Sequence, residues 1–380
     1  MPVSNDAAFC GSCGAKLADG RKPAKKPASS VIDHLNEYLG NEGKSTLTWK
    51  DLFSEVFKSH NIREAEDIFI CGTLLTTPKI EDVRSSWRRP WLYSRVFVAM
   101  FIASVLLFIC CDSFNNPNAY PGLLVIGAFT IPLCTLMLFM EVNAYRNISF
   151  YKVLLFFIVG GCASLVATLF LFSLNLVDAE LGSLWGGLMV GLLEETGKAV
   201  IVYLIIRQFN VPLKILPCML VGAAVGAGFA AFESAGYAFQ PFFEWAQTSI
   251  RLSLMNNQEI MLGLDALLDK SVDNILLRGY LAPGGHVAWA AISGAAIALA
   301  AKAQGTIDTG IFKSRVFWKI FIIPIVLHGL WDTPMIDSMM WYVILIAAVW
   351  VIVVILIDMG LKQIPSANTV NDKGYDLSAL

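Results

Sequence analysis

From Leu92 to Ile357 the chain is a succession of apolar segments, each roughly 18 to 26 residues long, divided by short polar connections. At ~1.5 Å rise per residue, each can cross a hydrocarbon core ~30 Å thick. Backbone in lipid must satisfy its own hydrogen bonds, so these segments are expected to be helices. They fall at Leu92–Cys111, Pro121–Met140, Val153–Val177, Leu181–Ile206, Ile215–Phe239, Gly284–Ala301, Val316–Pro334 and Met339–Ile357. The fold class this predicts is all-α, a polytopic membrane helix bundle with about eight transmembrane helices.

Ahead of Leu92 the pattern changes. From Val31 to about Val83 apolar and charged positions alternate, and Trp49, Leu52, Phe53 and Val56 fall on one helix face. This predicts a small, mostly helical soluble region over 31–85, followed by a transmembrane domain over 91–360 and a cytoplasmic tail over 361–380. Residues 21–30, from Arg21 to Ser30, have the composition of a disordered basic linker. Within 1–20, Phe9-Cys10-Gly11-Ser12-Cys13-Gly14 has the form of one zinc knuckle. Cys10 and Cys13 would fill two corners of a structural tetrahedral zinc site, leaving a second chain to complete it in a homo-oligomer; a metal-free remnant is the other reading. The first 30 residues hold no apolar signal-peptide core, so the first span is expected to direct membrane insertion.

Composition sharpens this picture. Of 380 residues 56% are hydrophobic and 15% charged, too few charges to cover a water-facing surface of this length, so a soluble enzyme is disfavoured. Net charge is −2 with the basic residues scattered, which gives no support for a nucleic-acid partner. Five of the eight cysteines lie in or beside apolar segments, where a buried thiol is ordinary, so a disulfide scaffold is not expected. Lys and Arg occupy alternate connections: Arg84, Arg88 and Arg89 before the first span, Arg146 and Lys152, Arg207 and Lys214, Lys302 and Lys313, then Lys362. By the positive-inside rule both termini are cytoplasmic in an integral protein of the cell (inner) membrane. The long connection Gln240–Pro283 is then outside, and its apolar spacing suggests amphipathic helices lying on the outer surface.

Ionisable residues inside spans are expensive and mark functional sites. The fourth span carries Glu194, Glu195 and Lys198, with the lysine three and four residues from the carboxylates. The fifth carries Phe232, Glu233 and Tyr237, the sixth opens on Gly285-His286, and the seventh carries His328 and Asp332 one turn apart. Any one such pair can be a structural clasp between helices. Together they offer general-base, general-acid and metal-ligand chemistry. Counting back from the span ends puts Glu233 and His328 each ~9 Å below the outer end, so the set is expected to meet in the outer half, with the inner half bare of carboxylates. Glycines at Gly182, Gly186, Gly187, Gly191, Gly222, Gly226 and Gly228 permit close helix approach, evidence of packing that serves a transporter equally well.

At these residues the chain resembles the PrsW-type intramembrane proteases, distant relatives of the CAAX-protease and bacteriocin-processing superfamily. The family's E-E-x-x-K is matched by Glu194, Glu195 and Lys198, its F-E-x-x-x-Y by Phe232, Glu233 and Tyr237, its G-H by Gly285 and His286, and its H-x-x-x-D by His328 and Asp332. The resemblance covers roughly Tyr151 to Ile357 and leaves the N-terminal regions outside. It implies peptide-bond hydrolysis at the outer face of the membrane, on membrane-anchored or single-span proteins such as anti-sigma factors, with Glu194, Glu195, Lys198, Glu233, Tyr237, His286, His328 and Asp332 as the catalytic set. Two mechanisms fit. A glutamate, Glu194 or Glu195, activates water with His286 assisting and His328 polarising the carbonyl; or His286, His328 and a glutamate such as Glu233 hold zinc. The histidines lack an H-E-x-x-H spacing, which tilts the balance slightly to the first. In related superfamily members the last motif ends in Asn, so Asp332 is as well suited to orienting His328 or to ligating a metal as to an oxyanion role. A non-catalytic scaffold or receptor on the same fold and a small-solute transporter are the alternatives; no internal repeat supports the latter.

Overall fold

The computed structural model describes residues 31–41, 47–87, 89–174, 183–254, 264–281, 283, 285–333 and 338–364. Cys10, Cys13, the linker over 21–30 and the tail from 365 lie outside the described residues. Among those described there is no strand, and the fold is helical throughout. Two short helices, α1 (Val31–Leu39) and α2 (Ile62–Ile70), precede the bundle helices α3 (Leu92–Asp112), α4 (Tyr120–Val142), α5 (Phe150–Leu155), α6 (Gly161–Ser173), α7 (Leu184–Gln208), α8 (Ile215–Leu254), α9 (Leu264–Leu281), α10 (His286–Gln304), α11 (Arg315–Trp331) and α12 (Met339–Lys362). A π-helical turn at Phe156–Gly160 joins α5 to α6, so Phe150–Ser173 forms one continuous span.

A helix lies at each of the eight expected places, and six spans are long and apolar enough to cross a membrane. The other two differ for opposite reasons. Helix α7 is long enough but carries Glu194, Glu195 and Lys198 at its centre. Helix α11 is only 17 residues long, ending at Trp331 with Asp332 as its C-cap.

Backbone approach at glycine decides which helices touch. A Cβ at Gly191 would lie 2.7 Å from the Ile325 carbonyl oxygen and 3.3 Å from His328 Cβ, while one at Gly187 would collide with Gly329 and Thr333, so α7 and α11 are in direct contact. Gly222 and Gly226 of α8 do the same against Ala290 and His286 of α10. Gly228 meets Gly161 at the start of α6. Small residues in membrane helices allow such approach, and the α7–α11 and α8–α10 pairs they select bear the polar residues.

The N-terminal region packs onto the end of the bundle that carries the basic connections. Its buried Leu39, Leu52, Ile68 and Val83 belong to one hydrophobic cluster with the bundle helices. Tyr38 donates to the Lys319 carbonyl at 2.7 Å, and Asn41 donates to Asp358 at 3.1 Å. Over 49–57 only a short 3-10 turn, Trp49–Phe53, forms, and of the expected apolar face only Leu52 is buried. His60 stacks on Trp91 with ring centroids 3.9 Å apart.

At the end of the bundle that carries the basic connections, α4 and α12 run past the expected apolar segments to include Glu141 and Asp358, both buried. Each is satisfied locally. Glu141 accepts from the backbone N–H groups of Trp91, Leu92 and Tyr93 at 2.8–2.9 Å, capping α3, and Asp358 pairs with Lys362 at 2.9 Å. Helix α9 packs against α4 and α8. Its Ile275 seats against Gly127 of α4, its Asn274 donates to the Tyr237 carbonyl at 3.0 Å, and Trp350 of α12 donates to the Pro283 carbonyl at 2.7 Å.

Candidate active site

Helix α7 supplies the centre. Its pitch places Glu194, Glu195 and Lys198 on one face, and Lys198 Nζ lies 3.2 Å from Glu194 Oε2 and 2.8 Å from Glu195 Oε1. All three are buried, Glu195 and Lys198 completely. The ammonium also stands 4.1 Å over the Phe229 ring, so a lysine that would be costly in isolation is compensated on several sides.

Two helix ends bring the histidines. Helix α10 begins at His286, and α11 ends three residues after His328, so both imidazoles sit where a chain enters or leaves the bundle interior. His286 has one nitrogen on a carboxylate and the other on Lys198, whereas both nitrogens of His328 meet carboxylates. His328 Nδ1 lies 2.9 Å from Glu195 Oε1, and its Nε2 lies 3.2 Å from Asp332 Oδ2 and 3.6 Å from Glu194 Oε2. His286 Nε2 lies 2.9 Å from Glu233 Oε2, and its Nδ1 lies 2.7 Å from Lys198 Nζ and 3.9 Å from Glu194 Oε2. Lysine only donates, so His286 Nδ1 accepts and Nε2 carries the proton given to Glu233. Trp289, on α10, stacks on His328 with centroids 4.4 Å apart and fixes the plane of that ring.

The structure therefore joins Glu194, Glu195, Lys198, Glu233, His286, His328 and Asp332 in one contiguous network drawn from four helices. Tyr237 stands apart. It is 44% exposed and turns its ring face to the Arg278 guanidinium at 4.0 Å, with no hydroxyl bond to Glu233.

Two neighbours were not legible in the motifs. Arg278, on α9, forms an ion pair with Glu233 Oε2 and lies 3.4 Å from Ser234 Oγ. It is 45 residues from Glu233, and no local spacing links the two. Trp289 carried a weak signal, an aromatic one turn after His286 in the same helix.

The donor set suits a divalent cation. Donor atoms of Glu194, His286 and His328 all lie within 4.8 Å of one another. In a tetrahedral zinc site with ~2.0–2.2 Å bonds, neighbouring donors stand ~3.3–3.6 Å apart, so modest closure would seat an ion between them. Four carboxylates (Glu194, Glu195, Glu233, Asp332) face two fixed cations (Lys198, Arg278) and His328, whose two nitrogens both meet carboxylates as an imidazolium's do, leaving 3 − 4 = −1, so the site stays net acidic. Glu233 is the other acidic residue the sequence offered as a ligand. Here it supports His286 from the far ring nitrogen.

A helical membrane bundle that buries glutamates, histidines and a lysine in one network has the fold and donor chemistry of an intramembrane hydrolase. A family model described as PrsW family intramembrane metalloprotease matches residues 149–357, more than half of the chain, and the chain belongs to that family. It is thus an integral membrane protein and an intramembrane protease. No curated protein and no solved structure matches the chain.

Proposed function

We propose that this protein is an endopeptidase that cuts membrane-anchored or single-span proteins near the outer face of the membrane, with Glu194, His286 and His328 at the reacting centre. The observation that carries this reading is the placement of Glu194 Oε2 between nitrogens of both histidines, 3.6 and 3.9 Å away. The matched family description, a metalloprotease, supports zinc or a similar ion held by those three residues. Bound there, the ion would polarise the scissile carbonyl and lower the pKa of attacking water. The protein's own groups do the rest. Glu195 and Glu233 orient the two imidazoles, as carboxylates behind ligating histidines do. Lys198 balances the charge of Glu194 and Glu195. Asp332, exposed at the end of α11, holds His328 through the same Nε2 that faces Glu194.

A metal-free glutamate mechanism is favoured by the occupancy of both nitrogens an ion would bind: Lys198 Nζ is on His286 Nδ1 at 2.7 Å and Asp332 Oδ2 on His328 Nε2 at 3.2 Å. The topology proposed is that of the charge pattern, both termini and the basic connections cytoplasmic in the inner membrane, which puts α9 on the outer side. Substrates with a short outer stretch beside one span suit a centre reached from that side, and proteins that restrain signalling, such as anti-sigma factors, are of this kind. The deciding experiment purifies the protein into nanodiscs, measures bound metal by mass spectrometry, and assays cleavage of candidate single-span proteins beside Glu194→Ala. About one ion per chain with chelator-sensitive cleavage supports the metal reading. Cleavage at undetectable metal supports the glutamate reading, and equal cleavage by Glu194→Ala overturns both.

A further inference from the structure

The outer connection contributes to this centre a residue that no family motif contains. Arg278 comes from α9 and converges on the Glu233 edge of α8. Its guanidinium pairs with Glu233 Oε2, its Nε lies 3.4 Å from Ser234 Oγ, and its planar face covers the Tyr237 ring at 4.0 Å. Three residues on one helical edge thus engage a single arginine. The same Oε2 accepts from His286 Nε2 at 2.9 Å. Within the network Lys198 bonds Glu194, Glu195 and His286, and the bonds of Glu233 are to Arg278 and His286. Helix α9 is itself held by Ile275 on Gly127 and Asn274 on the Tyr237 carbonyl, so the guanidinium is presented from a packed element.

We infer that Arg278 is a positioning residue: from α9 it holds the Glu233 carboxylate on His286 Nε2, and so fixes which nitrogen of His286 faces Glu194. The chain of reasoning is one of hydrogen bonds. Glu233 Oε2 takes two donors, Arg278 Nη2 and His286 Nε2, and Arg278 is itself fixed by its Nε on Ser234, so the guanidinium fork holds that oxygen at the imidazole. With Glu233 so held, His286 keeps its proton on Nε2 and its bare Nδ1 toward Glu194 and Lys198. Without the fork, Glu233 can turn toward water, and His286 loses the partner that selects its tautomer. Tyr237 contributes a cation–π face that keeps the guanidinium from swinging outward.

This inference rests on the proposed role of Glu233 and His286, and the test separates the two. In nanodiscs, Arg278→Gln is expected to lower kcat about 10–100-fold with KM changed less than about threefold, since outer partners of a reacting histidine have effects of that size. Arg278→Lys, which keeps charge but not the fork, is expected to recover part of the loss. A thermal-unfolding cycle with Arg278→Gln, Glu233→Gln and the double variant should show coupling between the two sites, a readout that requires no substrate. Absent coupling overturns the proposal. Coupling with unchanged kcat reduces the pair to a structural clasp for α9, and a rise in KM alone makes Arg278 a substrate contact; either result overturns it. If Glu233→Gln itself cleaves normally, the assignment of the centre fails, and this inference with it. If Glu233→Gln is inactive and Arg278→Gln normal, only the inference fails.

Discussion

His328 Nδ1 and Glu195 Oε1 stand 2.9 Å apart across the contact of α7 with α11, and Glu195 is completely buried. The pair ties the histidine to the helix that also bears Glu194, the residue facing its other nitrogen. Glu195→Gln keeps the shape and an acceptor but removes the charge that Lys198 and His328 share. The expected outcome is a fall in kcat of about 10–100-fold, with the protein still inserted and helical by circular dichroism. Unchanged turnover would reduce the contact to a clasp between helices.

Metal content should sort the glutamates by role. Glu194→Ala, His286→Ala and His328→Ala are each expected to lose the bound ion and to lower cleavage by orders of magnitude, with double variants no worse than singles. Glu233→Ala should cleave poorly yet bind the ion, since its carboxylate reaches His286 from the far nitrogen. Mass spectrometry of the purified variants reads this directly, and an ion lost from Glu233→Ala would make Glu233 a ligand.

The helix contacts that build the centre should tolerate no bulk. A Cβ at Gly226 lies 2.7 Å from Ala290 Cβ and 3.0 Å from the His286 carbonyl carbon, so Gly226→Val must push α10 off α8. Overpacking of this kind costs about 1–3 kcal/mol. Thermal unfolding in detergent should register it, and cleavage should fall further than stability because His286 moves with its helix. Gly236→Ala on the same helix is the control, because a Cβ there meets nothing within 4 Å.

Topology can be read by labelling. In a cysteine-free background, Asp269→Cys, exposed near the start of α9, should react with a membrane-impermeant maleimide applied from outside. Asp308→Cys, exposed in the connection between α10 and α11, should react only after permeabilisation. The reverse pattern would invert the assignment drawn from Lys and Arg.

What the sequence by itself determined is local. Apolar length marked out the helices, and the fixed pitch of a helix made Glu194 and Glu195 partners of Lys198 and made His328 a partner of Asp332 at 3.2 Å, because residues three or four apart share a face whatever surrounds them. The same pitch did not join Tyr237 to Glu233: the turn allowed the contact, but Arg278 from another helix occupied both. Only tertiary packing decided which carboxylate lies between the histidines, since that depends on the rotation of α7, α8, α10 and α11 about their axes, set by backbone contact at Gly191, Gly222 and Gly226. Packing also seated α9 on its neighbours, Ile275 against Gly127 and Asn274 on the Tyr237 carbonyl, contacts that no spacing within α9 records. The carboxylates at the other end of the bundle follow the same rule. Glu141 is tolerated in a buried helix end because three backbone donors of a helix distant in sequence converge on it, an arrangement that no spacing within α4 records.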